Sequence, residues 1–168
     1  MFKSIESKIL DIAAAQVTVQ NWQKNGLEIV FTNGCFDLLH YGHVRYLAEA
    51  CALGDKLIVG LNSTASVRRL KGNHRPINDE LTRQTVLAAL QSVDLVVVFE
   101  SDTPYDLIDI LKPDILVKGG DWQPNQIVGS ELVLERGGQV LSLPFQDGYS
   151  TTHLETKIKD SNLVPDKN

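Results

Sequence analysis

The 168 residues carry a formal charge of -5, with 43% apolar and 22% charged side chains, and a chain of this size buries a single core without disulfide or metal staples. The acidic balance argues against general nucleic-acid or anionic-membrane binding, so any anion site has to be local. No apolar run approaches the ~20 residues of a membrane span, Lys3, Glu6, Lys8 and Asp11 interrupt any signal-peptide core, and Cys35 and Cys51 form no disulfide framework; the expectation is a cytoplasmic protein.

In chain order, Ile5, Ile9 and Ile12 recur at helical spacing and Val19 and Trp22 follow before Gly26. This predicts a helix or a broken pair of helices, an N-terminal extension over 1–26. A first buried strand is predicted over 27–31. It runs into Thr32-Asn33-Gly34-Cys35-Phe36-Asp37-Leu38-Leu39-His40-Tyr41-Gly42-His43, after which Val44, Leu47, Ala48, Cys51 and Ala52 recur at helical spacing up to Gly54. A second strand over 56–62 completes a βαβ unit, whose strands should be parallel and whose crossover should be right-handed.

A short helix over 63–70 leads into a basic, mobile loop holding Arg68, Arg69, Lys71 and Arg75 with no carboxylate among them. Asn78 or Asp79 can cap the next helix, and a third strand is predicted over 94–100. Thr103-Pro104-Tyr105-Asp106 reads as a capping box with Pro at the first helical position, and Pro113 stops the helix that follows. A fourth strand over 114–118 opens into Gly119-Gly120-Asp121-Trp122; a brief helix over 129–136 and a fifth strand over 139–143 come next. Gly148-Tyr149-Ser150-Thr151-Thr152 precedes a last helix, and 161–168 form a polar tail.

This alternation predicts an α/β fold: one doubly wound, five-stranded parallel sheet of Rossmann-like type over 27–160. In such sheets ligands bind beyond the carboxyl ends of the strands. The histidine turn, Lys118-Gly119-Gly120 and the Ser-Thr-Thr turn each follow a strand, so they should meet on one rim.

Where strand becomes helix, unpaired N–H groups and the positive end of the macrodipole suit an anion. His40 and His43, three apart, share a face of that turn, and Gly42 lets a ligand approach the backbone. A zinc site would need further ligands beyond Cys35, and only Cys51, two turns away, offers itself. The turn has one glycine where a dinucleotide-binding turn has three, and no Gly-x-x-x-x-Gly-Lys-Ser/Thr run is present. The basic loop has a plain reading as a solvated face; its place after the second strand favours phosphate contact by Lys71 and either Arg75 or Arg83. Lys118, between an apolar strand and two glycines, sits where a substrate approaches. Ser150-Thr151-Thr152 reads both as an N-cap and as a phosphate contact. Both cysteines read as packing residues, and Trp122 and Tyr149 as pocket walls.

Imidazoles, cations, hydroxyls and amides without a base–nucleophile pair fit phosphoryl or nucleotidyl transfer, where catalysis is mostly positioning and charge stabilisation. A phosphate-monoester acceptor is already anionic at neutral pH, with a second pKa of about 6, so no general base is needed. Carboxylates for a protein metal cage are scarce, and Mg²⁺ should arrive with the triphosphate.

Gly34-x-Phe36-Asp37-Leu38-Leu39-His40-x-Gly42-His43, with Ser150-Thr151-Thr152, resembles the cytidylyltransferase-like superfamily of nucleotidyltransferases, whose paired histidines bind the triphosphate. Thr32 to Asp37, Arg69-Leu70-Lys71-Gly72, Arg75-Pro76, Val117-Lys118-Gly119-Gly120-Asp121 and Gly148 to Thr152 are similar to the bacterial D-glycero-β-D-manno-heptose 1-phosphate adenylyltransferases, over about residues 27–159. The resemblance implies that ATP and the heptose 1-phosphate give ADP-heptose, a precursor of lipopolysaccharide core, and pyrophosphate. It implies His40, His43 and Lys71 as catalytic residues. Nucleotide contacts fall to Thr32, Asn33, Gly34, Cys35, Phe36 and Asp37, to Tyr41 and Gly42, to Lys118 and Gly119, and to Ser150, Thr151 and Thr152. Asp121 and Arg75 would face the sugar phosphate. Many relatives fuse this activity to a sugar kinase; here a separate kinase would supply the sugar phosphate, and a homodimer is an open alternative to a monomer. The competing readings are a sibling enzyme using CTP and glycerol 3-phosphate or another phosphorylated acceptor, and a nucleotide-binding regulator without turnover.

Overall fold

Six parallel strands form the centre of the molecule, and each begins where a run of β-branched and leucyl residues follows a polar break. They are β1 (Ile9–Leu10), β2 (Ile29–Gly34), β3 (Lys56–Asn62), β4 (Leu95–Phe99), β5 (Ile115–Gly119) and β6 (Gln139–Leu143), in the spatial order β1-β4-β3-β2-β5-β6. The computed structural model describes residues 2–161, so the tail expected over 161–168 lies outside them except for Ser161.

Helices cover both faces. Against one lie α2 (Ile12–Lys24), α6 (Tyr105–Leu111) and α7 (Ser130–Leu134), whose Val19, Ile108 and Val133 pack with Ile29 and Phe31 of β2. Against the other lie α3 (Tyr41–Cys51) and α5 (Glu80–Ala88), whose Leu47, Ala50 and Leu87 pack with Val30. Successive β2 residues thus enter opposite cores, as the two-residue period of a strand buried on both faces requires. Among the described residues the remaining helices are α1 (Phe2–Glu6), α4 (Thr64–Lys71), α8 (Thr151–Ser161) and a short 3-10 helix over Pro124–Gln126.

Aspartates ahead of three strands pin their neighbours. Asp55 accepts from the Glu28 N–H at 2.8 Å, Asp94 from Leu57 at 2.9 Å and Asp114 from Ile29 at 2.8 Å. Each bond satisfies a donor at the start of an adjacent strand, where the ladder has not yet begun.

The sheet has six strands, not the expected five. Ile9 and Leu10 pair with Val96 and Val97 at the sheet edge, and the helical spacing of Ile5, Ile9 and Ile12 concealed a strand too short to show alternation. Lys8 secures the join, donating to the carbonyls of Val93 at 2.6 Å and Leu90 at 3.2 Å. The first predicted strand begins two residues later and ends three residues later, nearer the histidine turn. The capping box does not form: Pro104 is itself the N-cap of α6 and no side chain caps it.

The chain winds from β2 through β3 to β4, then returns to the other side of β2 as β5 and β6. This reversal leaves a crevice between the carboxyl ends of β2 and β5.

Gly60 in β3 is fixed by packing, since an added Cβ would lie 2.7 Å from the Phe31 ring. Gly60→Ala should destabilise the fold by about 1–3 kcal/mol through overpacking, read as a lowered urea midpoint with an unchanged slope.

Candidate functional site

The crevice opens as a cavity of about 640 Å³ lined from β2 and its turn, the start of α3, the end of α4, the end of β5 and the segment before α8. Beneath its floor lies Thr32, whose fully buried hydroxyl is 2.6 Å from that of Tyr46 on α3. Tyr46 reaches the cavity; Thr32, one layer beneath, does not line it. Burial raises the Tyr46 phenol to a pKa of about 12, against the hydrogen bond from Thr32, so it stays protonated.

Past β2 the backbone takes a left-handed step at Phe36, φ 42°, a conformation that costs a non-glycine residue energy and recurs at functional sites. The step folds the Phe36 ring back over Gly34, where an added Cβ would lie 3.0 Å from it. The same ring meets His43 edge to face, centroids 5.4 Å apart. His40 and His43 then stack, 3.9 Å between centroids and 28° between planes. Gly42 permits this: an added Cβ would sit 3.1 Å from the His40 ring and 3.2 Å from Cβ of Tyr149. The Cβ side of Gly42 is therefore filled by protein, while its backbone still faces the cavity.

His40 is the N-cap of α3, yet its side chain caps nothing. Such an end leaves backbone donors for an anion. Nδ1 of both rings is buried without a hydrogen-bond partner. Burial lowers the pKa of His40, and burial, then His40, then Lys71 bring His43 to about 4. At neutral pH His43 is a neutral donor–acceptor.

Lys71, at the end of α4, and Lys118, in β5, supply positive charge to the cavity. Lys118 donates to Asn33 Oδ1 at 3.1 Å, and burial pushes its ammonium pKa down. Arg83 lies deeper, 2% exposed, donating to the carbonyls of Cys35 at 2.9 Å and Asn62 at 2.8 Å. It holds the turn and does not line the cavity.

Two residues expected to meet ligands are tied into the scaffold, Arg75 away from the cavity and Asp37 while still lining it. Asp37, 5% exposed, accepts from Arg75 at 2.7 Å and from the N–H groups of Ile77 and Asn78 at 2.8 Å each. Burial works to raise its pKa, but the Asn78 and Ile77 amides and the Arg75 guanidinium outweigh it and hold the carboxyl below its usual range. Arg75 is paired on its other side with Glu155 of α8. The loop expected to be mobile and free of carboxylates is thus anchored from elsewhere, Arg69 also pairing with Asp102 at 2.7 Å and Glu100 at 3.2 Å.

Asn33, Gly34, Cys35, Phe36, His40, Gly42 and His43 converge on the cavity with Lys71, Lys118, Gly119, Ser150 and Thr151. Tyr41, Asp121, Trp122 and Thr152 do not line it; Tyr41 is 53% exposed and rests on Tyr149, centroids 4.8 Å apart. Sequence reasoning missed Tyr46 and much of the wall formed by Phe145 to Gly148 and His153. The only signal for that wall was its position just ahead of and within the Ser-Thr-Thr turn. Among the described residues no three His, Cys, Asp or Glu side chains gather as metal ligands, and no helix is long and apolar enough to cross a membrane.

The cytidylyltransferase-like family model matches residues 31–156. A curated relative from Geotalea uraniireducens named "Bifunctional protein HldE" is 51% identical over 158 residues, covering 94% of this chain and 32% of the relative. One of the same name from Nitrobacter hamburgensis is 59% identical over 133 residues, 79% of this chain and 27% of the relative. The chain spans about a third of the length of these relatives. Among solved structures, a lipopolysaccharide core biosynthesis protein from Thermoplasma volcanium superposes with a TM-score of 0.59 at 28% identity, over 74% of this chain and 100% of that one.

His43 has a lower pKa folded, about 4, than its ordinary 6.5. Above 6.5 neither state binds the proton; between 6.5 and 4 the unfolded chain takes it up and the folded chain does not, so stability falls as pH falls. An NMR titration should place the His43 midpoint near 4, and His43→Gln should lose less stability than the parent between those pH values, read by urea unfolding.

Proposed function

The chain belongs to the cytidylyltransferase-like family, and on that premise we propose that it is an adenylyltransferase joining ATP to D-glycero-β-D-manno-heptose 1-phosphate, giving ADP-heptose and pyrophosphate. The observation that carries this reading is the stacked pair His40 and His43 at the head of α3, facing one cavity with Lys71 and Lys118. A concentration of donors and cations in a protein of net charge -5 is a local anion site. The relatives named HldE support the choice of sugar.

In the proposed reaction an acceptor phosphate oxygen attacks the α-phosphorus of ATP. A bond forms between them, the bond from the α-phosphorus to the bridging oxygen breaks, and its electron pair leaves with pyrophosphate. The acceptor is ionised already, so the neutral imidazoles serve as hydrogen-bond donors instead of removing a proton. As charge builds on the leaving phosphates, donors fixed beforehand stabilise it without reorganising. Lys71 supports the phosphates from α4, Lys118 from β5, and Ser150 and Thr151 from the head of α8. Arg75 keeps the surrounding loops in place through Asp37, whose carboxylate also lines the cavity; Asp121 stays a proposed sugar contact reached from outside the cavity lining.

Mg²⁺ prefers several oxygen ligands, whereas the cavity offers imidazoles, ammonium groups and the carboxylates of Asp147 and the already engaged Asp37. It therefore enters as part of the MgATP substrate, where it neutralises phosphate charge. A sugar kinase would supply the heptose 1-phosphate, and both substrates place the reaction in the cytoplasm. The catalytic unit is assigned to 27–160, with 1–26 adding the edge strand.

Pyrophosphate release across a panel of sugar phosphates and nucleoside triphosphates tests the assignment, with heptose 1-phosphate and ATP expected to lead; preference for CTP and glycerol 3-phosphate would replace it with the sibling reaction. His40→Ala should keep the fold and lose ~10²–10³ in kcat, the scale of removing one transition-state donor. Lys71→Ala should weaken ATP binding in a calorimetric titration, and an unchanged Kd would remove Lys71 from the site.

A further inference from the structure

The wall of the cavity formed by residues 145–153 is held differently from the rest. α3 buries Tyr46, Leu47 and Ala50, and α4 buries Ser66 and Val67, whereas α8 buries no side chain. Yet α8 and the strap before it place Phe145, Gln146, Tyr149, Ser150 and Thr151 around the cavity. Without a core to fix it, this wall depends on side-chain clamps.

Phe145 lies across Gly119 and Gly120, and three side-chain clamps also join the wall to the molecule. Arg45 of α3 donates to Gln146. Tyr41 packs on Tyr149, rings 51° apart, with both about half exposed. Glu155 of α8 pairs with Arg75. The first holds the strap, the second holds the residue just ahead of Ser150, and the third is the clamp within α8 itself. Gly148 takes φ 79° with open space beside its Cα, a left-handed turn between strap and helix that suits glycine.

Arg75 is suited to releasing Glu155. Its side chain is 10% exposed and its partner Asp37 only 3%, while Glu155 is 24% exposed. If Glu155 leaves, Arg75 keeps Asp37, and the cost of a buried unpaired cation is avoided. Asp37 and Arg75 therefore form a fixed post and Glu155 a detachable hook.

We propose that Glu155 is a positioning residue: by hooking α8 to Arg75 it sets Ser150 and Thr151 over the phosphate site, so the cavity is complete only while this pair is made. The inference rests on the cavity being a nucleotide site. Simple electrostatics gives the opposite expectation for its removal, since deleting an anion beside a phosphate site should strengthen binding. Positioning and charge are thus separated by sign.

The test compares the parent with Glu155→Gln by MgATP titration, urea unfolding and trypsin cleavage after Lys157 and Lys159. Glu155→Gln should weaken MgATP binding by roughly tenfold or more, the scale of one hydrogen bond to a charged group. Its urea midpoint should match the parent, and its α8 should be cut faster without nucleotide. Glu155→Asp, which keeps the charge, should recover part of the affinity. Equal or tighter MgATP binding by Glu155→Gln overturns the inference, as does a lowered urea midpoint, which would make Glu155 a structural residue. If the parent itself binds no MgATP, the nucleotide reading fails instead; trypsin then still decides the hook, and equal cleavage of parent and variant removes it.

Discussion

The buried carboxylate of Asp37 is the contact around which the site is arranged. Desolvation alone would make that charge costly, and it survives because Arg75 and the Ile77 and Asn78 amides surround it. Asn78 also donates through its side chain to the Asp37 carbonyl at 2.6 Å. The turn after β2 and the loop between α4 and α5 are thereby one body, though 38 to 41 residues separate the partners. Lys71 at one end of that loop and the histidines past the turn inherit their relative positions from this knot.

A second constraint is steric. Gly34 and Gly42 leave room that side chains then occupy: the Phe36 ring over the first, His40 and Tyr149 over the second. The rings of Phe36, His43 and His40 make a continuous cluster, edge to face and then stacked, that is in place without any ligand. Preorganisation of this kind is what allows donors to act on developing charge. Because the stack is desolvated, its imidazoles stay neutral and give hydrogen bonds without adding fixed charge to the existing lysines.

The sheet was largely legible because strands buried on both faces read as continuous apolar runs. β3 and β6 lie where the pattern puts them, and the turn with His40 and His43 stands out by its place between strand and helix. β1 was not legible: two residues carry no period, and their pairing with Val96 and Val97 depends on a partner more than eighty residues away. The ion pairs at Asp37, Arg75 and Glu155 failed to show for a related reason. Sequence marks a cation beside a glycine-rich turn as available, whereas its availability is decided by a carboxylate brought in from another element. Phe145 was passed over because an exposed aromatic in a polar segment signals nothing until the fold lays it across Gly119.

Strand order also has a mechanical side. β1 is the outermost strand on one side and β6, which leads into the strap and α8, on the other; five spacings of about 4.8 Å put the two margins roughly 24 Å apart. The intervening strands are laced by ladder bonds and packed on both surfaces. The two borders of the sheet are therefore held apart by four interior strands, with the N-terminal segment on one and the strap and α8 beyond the other.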